Sequence, residues 1–309
     1  MATNITEPLQ MSPLRISTMV TTCHVGCGIN LRRLFDNFSK WAIPFGYPGE
    51  GFLKMEYETK VVGSSTRDVL TKRKVTEKTF FNQATLVIRK ARSTGGWKEV
   101  NIKMFANGGI QMTGVPTSEF SQEAIQFVIK EIMDKDPTVF IGTPGMTKFR
   151  VQLINSDYSI NRQIYQEKLH KVLSNVYNLF SSHESTIYQG VNTKYYYNDA
   201  NTDPDKAGQC VCKGKCKGQG SGSGDGECKR ITMSIFQTGK IIITGARYYH
   251  QIQEAYDYLN RVIKDHADEV LRAPIPAALV QADDSDEEPV PVTTKKVRKT
   301  RVRKICLSP

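Results

Sequence analysis

The sequence predicts an α+β fold built twice over from one chain of 309 residues. Two observations carry this. A hairpin pattern recurs at constant offset: Phe105-Ala106-Asn107-Gly108-Gly109-Ile110-Gln111-Met112-Thr113-Gly114 and Phe236-Gln237-Thr238-Gly239-Lys240-Ile241-Ile242-Ile243-Thr244-Gly245 superpose at Phe, the turn Gly, Thr and Gly. An amphipathic helix follows each hairpin, and each half opens with a strand-like run and a second amphipathic stretch. A repeat this long implies a duplicated, pseudo-symmetric fold. Strands grouped with helices to one side describe the α+β class.

The elements follow in order. Leu14 to Val25 reads as the first strand and Leu31 to Phe38 as the first helix. An insertion over about 41–79 interrupts the pattern; Leu53 to Val62 within it reads as an added edge strand. The hairpin about Gly108 comes next, and a three-residue loop with glycine in the left-handed region is a common connection. Ala124, Ile125, Val128, Ile129, Ile132 and Met133 then recur at helical spacing, between Pro116-Thr117 and Pro137. The second half repeats this with a strand from Phe149 to Tyr158 and an amphipathic stretch from Ile164 to Leu179. Its hairpin turns at Gly239, and its helix carries Ile252, Ala255, Tyr256, Leu259, Val262 and Ile263. The expected domains are a disordered tail over 1–12, a first repeat over 13–140, a second over 141–272 with a Cys/Gly-rich insertion at about 198–229, and a disordered tail over 273–309. That last tail is Pro-rich, then acidic, then basic.

Loop length decides which residues share a face. With three loop residues, Phe105, Gln111 and Thr113 lie together, opposite Ile102, Met104, Ile110 and Met112. The second copy sets Phe236, Ile242 and Thr244 against Met233, Ile235, Ile241 and Ile243. A two-residue turn would move Thr113 to the core face. One such hairpin is ordinarily core; two, each with Phe turned away from the aliphatic stripe, point to a working surface.

Phe-x-x-Gly-x-x-x-x-Thr-Gly before an amphipathic helix, occurring twice, resembles the TATA-binding protein family, and Val25-Gly26-Cys27-Gly28-Ile29-Asn30-Leu31 is similar to that family's first repeat. The insertions look more like the divergent forms of large DNA viruses. The resemblance covers roughly residues 13–272. It implies a saddle: a curved antiparallel sheet whose concave face meets double-stranded, A·T-rich DNA in the minor groove, with helices on the convex side. Binders of this mode, of which this family is the standard example, insert apolar wedges between base steps and kink the duplex. The implied wedges are Phe105 with Phe80 or Phe81, and Phe236 with Tyr188. Thr113, Thr244 and Ile242 would line the groove. Where the family has a central Asn on each opening strand, this chain has Thr18 and Leu153; Val20 and Asn155 lie two residues further on the same strand face. Shape and deformability of A·T-rich DNA then carry much of the expected selectivity. The resemblance also implies a bridging initiation factor, docked near Glu184, and an RNA polymerase. A docking scaffold that no longer bends DNA is the alternative.

Composition agrees with a nucleic-acid partner: net charge is +11 and pI about 9.2. Arg89, Lys90, Arg92 and Lys194 follow the wedge strands and are candidate phosphate contacts. No apolar run approaches the ~20 residues a membrane span needs, and no signal peptide is visible. An intracellular site is expected, nuclear or at a cytoplasmic viral transcription site. Cys210, Cys212, Cys216 and Cys228 could close a tetrahedral zinc site, structural and not required for binding; a flexible basic loop with incidental thiols is the other reading. The five histidines form no triad or ligand spacing and no phosphate-cradling Gly motif occurs, so no catalytic residue and no enzyme activity are expected.

Overall fold

The computed structural model describes residues 8–44, 46–70 and 82–272. Phe80, Phe81 and the tail expected from residue 273 onward lie outside them. β1 (Arg15–His24) and the short β2 (Gly28–Ile29) lead into α1 (Leu31–Trp41). Asn30 starts that helix, its Oδ1 accepting the Arg33 N–H at 3.0 Å, as an N-cap should. β3 (Gly51–Tyr57), β4 (Lys60–Gly63) and α2 (Thr66–Leu70) form the first insertion. β5 (Gln83–Ala91), β6 (Trp97–Phe105) and β7 (Gly109–Val115) precede α3 (Ser118–Lys135). β8 (Phe140–Ile141) pairs with β2. The second half runs through β9 (Thr147–Ser159), α4 (Gln166–Lys171), β10 (Phe180–Ser182), β11 (Val191–Tyr197), β12 (Lys229–Ile235) and β13 (Lys240–Ala246). It ends in α5 (Tyr249–Asp265) and α6 (Ala267–Val270).

Eleven strands make one antiparallel sheet, ordered β10-β11-β12-β13-β9-β1-β7-β6-β5-β3-β4. The two opening strands, β1 and β9, meet in the middle, with Met19 opposite Ile154 at the pseudo-dyad. Outward from there each half repeats: β7, β6, β5 and β3 on one side match β13, β12, β11 and β10 on the other. β4 has no counterpart among the described residues. Alternation along the strands sends Ile102, Met104, Ile110 and Met112 to a core with α1 and α3, and Met233, Ile235, Ile241 and Ile243 to a second core with α5. Both cores lie on one side of the sheet. Among the described residues the other side carries only the short α2, which lies over the outer strands of the first half through Thr66–Glu99 and Asp68–Lys54, and this is the α+β saddle.

The Thr-Gly end of each hairpin has a structural reason. Gly114 (φ +81°) and Gly245 (φ +103°) occupy the left-handed region. Each is an extra residue: Met19 pairs with Val115 and Val20 with Thr113, while Asn155 pairs with Thr244 and Ile154 with Ala246. These are glycine β-bulges, which bend a strand and increase its twist. They flank the pseudo-dyad at equivalent places.

Three expectations need correction. Leu53 to Val62 is a hairpin, β3 and β4, not one strand; Glu58 at φ +54° turns the chain between them. Ile164 to Leu179 is not one helix. α4 widens into a π-turn over Val172–Val176 and stops where Asn178 takes φ +50°, a conformation Asn tolerates better than most residues. The tail expected over 1–12 is structured from Pro8: Leu9 and Met11 pack on the second core, and the Ser12 N–H donates to the Ser159 carbonyl at 2.8 Å. Among the described residues no helix is long and apolar enough to cross a membrane.

Candidate nucleic-acid interface

Both hairpin loops have three residues. Met104 pairs with Ile110 and Ile235 with Ile241, and Gly108 (φ +89°) and Gly239 (φ +85°) close the turns. Phe105 and Phe236 therefore stand on the uncovered face at the turn end of their hairpins, half-buried, with Gln111, Thr113, Ile242 and Thr244 beside them.

Cross-strand register lines the centre of this face with two equivalent rows. In the second half the row is Lys194, Thr232, Thr244, Asn155 and Thr18. In the first half it is Val87, Asn101, Thr113, Val20 and Leu153. On one side of the dyad Asn155 Nδ2 donates to Thr18 Oγ1 at 3.1 Å; on the other Val20 faces Leu153, and Gln152 Nε2 donates to Thr22 Oγ1 at 2.6 Å further along β1. One row further out, Asp157 lies beside Ile242, and Arg15 clamps its carboxylate in bidentate fashion at 2.8 and 2.9 Å. An acidic group on this face is thereby neutralised.

Tyr188 stands next to Phe236, ring centroids 5.8 Å apart and planes at 60°. Gly190 makes room for both, since a Cβ there would come within 2.8 Å of the Tyr188 ring and 3.3 Å of Phe236. Gln166 at the start of α4 fastens the arrangement, Nε2 donating to the Gln189 and Ile235 carbonyls at 2.7 and 3.0 Å. The matching register of the first half pairs Ala84 with Met104 as Val191 pairs with Ile235. Three residues before Val191 is Tyr188 and three before Ala84 is Phe81, so the count selects Phe81 over Phe80 as its sequence equivalent.

The four phosphate candidates separate. Lys194 lies on the uncovered face, its Nζ donating to Thr232 Oγ1 at 3.0 Å; burial, with nearby Arg230, lowers its pKa. Arg89 is on the same face, but its guanidinium donates to the Gly49 and Tyr47 carbonyls and lies 5.7 Å from the Trp97 ring centre. Arg92 is exposed in the β5–β6 turn. Lys90 projects to the opposite side, paired with Glu50 at 2.7 Å and 5.9 Å from the Phe127 ring of α3. Adjacent strand residues cannot both face one way, so Lys90 is not on this surface. Arg230, exposed and one pair along from Thr232 on the same face, had no sequence signal beyond its parity with Thr232. Arg15 and Asp157 were equally silent until the register paired them.

The first insertion adds charge to the outer part of the first half. The Thr66 N–H and hydroxyl donate to Glu99, and Lys54 bridges Glu56 and Asp68 at 2.6 and 2.8 Å. Burial alone would raise the Asp68 carboxyl, but Lys54 and Ser65 outweigh it and bring it down to about 2.

In the β11–β12 connection the sulfurs of Cys210, Cys212, Cys216 and Cys228 all lie within 4.8 Å of one another. This group could hold a metal ion.

A family model described as transcription factor TFIID (or TATA-binding protein, TBP) matches residues 199–266, which include the second hairpin and α5. A curated relative, the "TATA-box-binding protein-like" protein of Acanthamoeba polyphaga mimivirus, is 26% identical over 288 residues, covering 87% of this chain and 70% of its own. Among solved structures, Methanococcus jannaschii TBP aligns with a TM-score of 0.45 at 16% identity, over 82% of this chain and 99% of its own. The repeated hairpin, the matched segment and the viral relative agree in making this chain similar to TATA-binding-protein-like proteins.

Proposed function

We propose that the uncovered face binds the minor groove of A·T-rich double-stranded DNA and bends it, as a transcription-initiation factor. The observation that carries this is the pair of phenylalanines held at equivalent turn ends of the face opposite the two cores, one of them flanked by a second ring at 5.8 Å. Apolar side chains on an uncovered antiparallel face are out of place in a free-standing protein. They suit a partner with flat, stackable surfaces. In this reading Phe236 with Tyr188, and Phe105 with Phe81, are the wedges. Thr18, Val20, Thr113, Asn155, Ile242 and Thr244 line the groove, and Lys194 and Arg92 meet phosphates, joined by Arg89 if it exchanges its carbonyl contacts. The partners beyond DNA are a bridging initiation factor and an RNA polymerase, and the setting is the nucleus or a cytoplasmic viral transcription site. No catalysis is assigned. The cofactor in this reading is structural: zinc fits the four clustered cysteines by ligand type.

End-to-end fluorescence transfer on short A·T-rich and G·C-rich duplexes tests this at two salt concentrations. The wild-type chain should draw the ends of the A·T-rich duplex together, and Phe105→Ala/Phe236→Ala should abolish the bend while keeping salt-sensitive binding. Unbent DNA with the folded wild-type chain would sink the reading. A docking scaffold would then take its place, a reading favoured by the apolar Val20–Leu153 centre, which offers bases no hydrogen-bonding group.

A further inference from the structure

We propose that Cys210, Cys212, Cys216 and Cys228 bind one zinc ion, and that this ion fastens the β11–β12 connection to the start of α5. The proposal extends the cofactor part of the reading above and does not depend on DNA binding. A tetrahedral zinc with Zn–S bonds of about 2.3 Å sets its sulfurs about 3.8 Å apart. Here Cys212 and Cys228 are 3.3 Å apart and Cys228 and Cys210 3.8 Å, none of them joined in a disulfide. Four sulfurs converge on one point, and small adjustments complete the tetrahedron. Thiolate ligands select zinc among the common divalent ions.

The surroundings are those of a built site. The Gly226 N–H donates to Cys212 Sγ at 3.1 Å and Asn198 Nδ2 to Cys228 Sγ at 3.4 Å. Donors to sulfur stabilise thiolate and orient it toward a metal. Asn198 also donates to the Gly224 carbonyl at 2.7 Å and accepts the Gly224 N–H, so the side chain that supports the sulfur also folds the loop around it.

The consequence reaches α5. Gln251, almost wholly buried, donates to the Ser221 carbonyl at 2.7 Å and accepts the N–H groups of Arg247 and Tyr248. The loop is thus tied to the residues that begin the helix. On the sheet side, Gly218 lies against Arg230 and Tyr196; a Cβ there would come within 2.6 and 2.9 Å of them. Such a connection has little apolar core of its own, and a metal cross-link supplies the order that its glycines work against.

The test uses the purified full chain without DNA. Elemental analysis should find one zinc per chain in the wild type and in Cys27→Ser, and less than a tenth of that in Cys212→Ser. Cobalt exchange should give the absorption of a tetrahedral thiolate site. Chelation should open the chain to limited proteolysis within 198–228 and leave the sheet intact. A metal-free wild type with reactive thiols, or disulfides within the cluster under reducing preparation, would overturn the site. Zinc that can be removed without new cleavage would overturn the fastening role.

Discussion

Arg15 and Asp157 illustrate how much hangs on single side chains of the uncovered face. The carboxylate lies one row from the centre of the face proposed to meet DNA, and Arg15 holds it through Nε and Nη2. Arg15→Ala should lower affinity for A·T-rich DNA by about three- to tenfold, while changing unfolding free energy by less than about 1 kcal/mol, as exposed pairs do. Adding Asp157→Asn should restore binding, a coupling that a double-mutant cycle measures directly. Equal losses in the single and double variants would refute the role. The side that Phe105 and Phe236 take was legible from sequence because alternation has period two once loop length is set. The same rule, applied to Arg89 and Lys90, would have kept Lys90 off the surface. Arg15 was not legible at all, since its partner is 142 residues away.

At the scale of elements, the repeated Thr-Gly pairs were visible in the sequence but their reason was not. Hydrophobic periodicity reports faces; it is blind to an inserted residue that holds positive φ. The bulges at Gly114 and Gly245 put one extra residue in β7 and β13, and so fix where Thr113 and Thr244 sit against β1 and β9. Gly114→Ala should cost about 1–2 kcal/mol, the usual penalty of a left-handed L-residue. Gly245→Ala should cost more, because its Cβ would also meet the Arg230 carbonyl at 3.0 Å. Denaturant unfolding of the two variants checks the order, and an equal or reversed ranking would count against the close approach. The β3–β4 hairpin was missed for a related reason. Its turn uses Glu58 at positive φ, where a glycine or asparagine would have announced it. The Ile164 to Leu179 stretch has a helical period, but its π-turn leaves no mark on that period.

For the whole molecule, the duplicated plan and the α+β class were legible, because a repeat survives divergence better than any one residue does. The two insertions and the altered central positions were legible as well, but not the partners that their side chains take across the sheet. α2 brings Asp68 to the outer first half, near Glu56 of β3 and Glu99 of β6. The second half presents Lys194 beside Arg230 in the corresponding region. Near the dyad, the Asn155–Thr18 hydrogen bond belongs to one row and the Val20–Leu153 contact to the other. A surface with true two-fold symmetry would ride a promoter equally well in either heading. This one has a front and a back. Under the proposed function, acidic groups at one end would weaken phosphate contact there, and the central Asn155–Thr18 pair, which has Val20 and Leu153 as its counterpart, would favour base edges on its own side, so a non-palindromic A·T-rich site should be held in one heading. Hydroxyl-radical footprints should then reach further beyond the site at one end than the other, and Asp68→Asn/Glu99→Gln should even them out. A footprint already even in the wild type would mean that the two headings are equivalent. If the proposed function holds, such a heading would give transcription its direction.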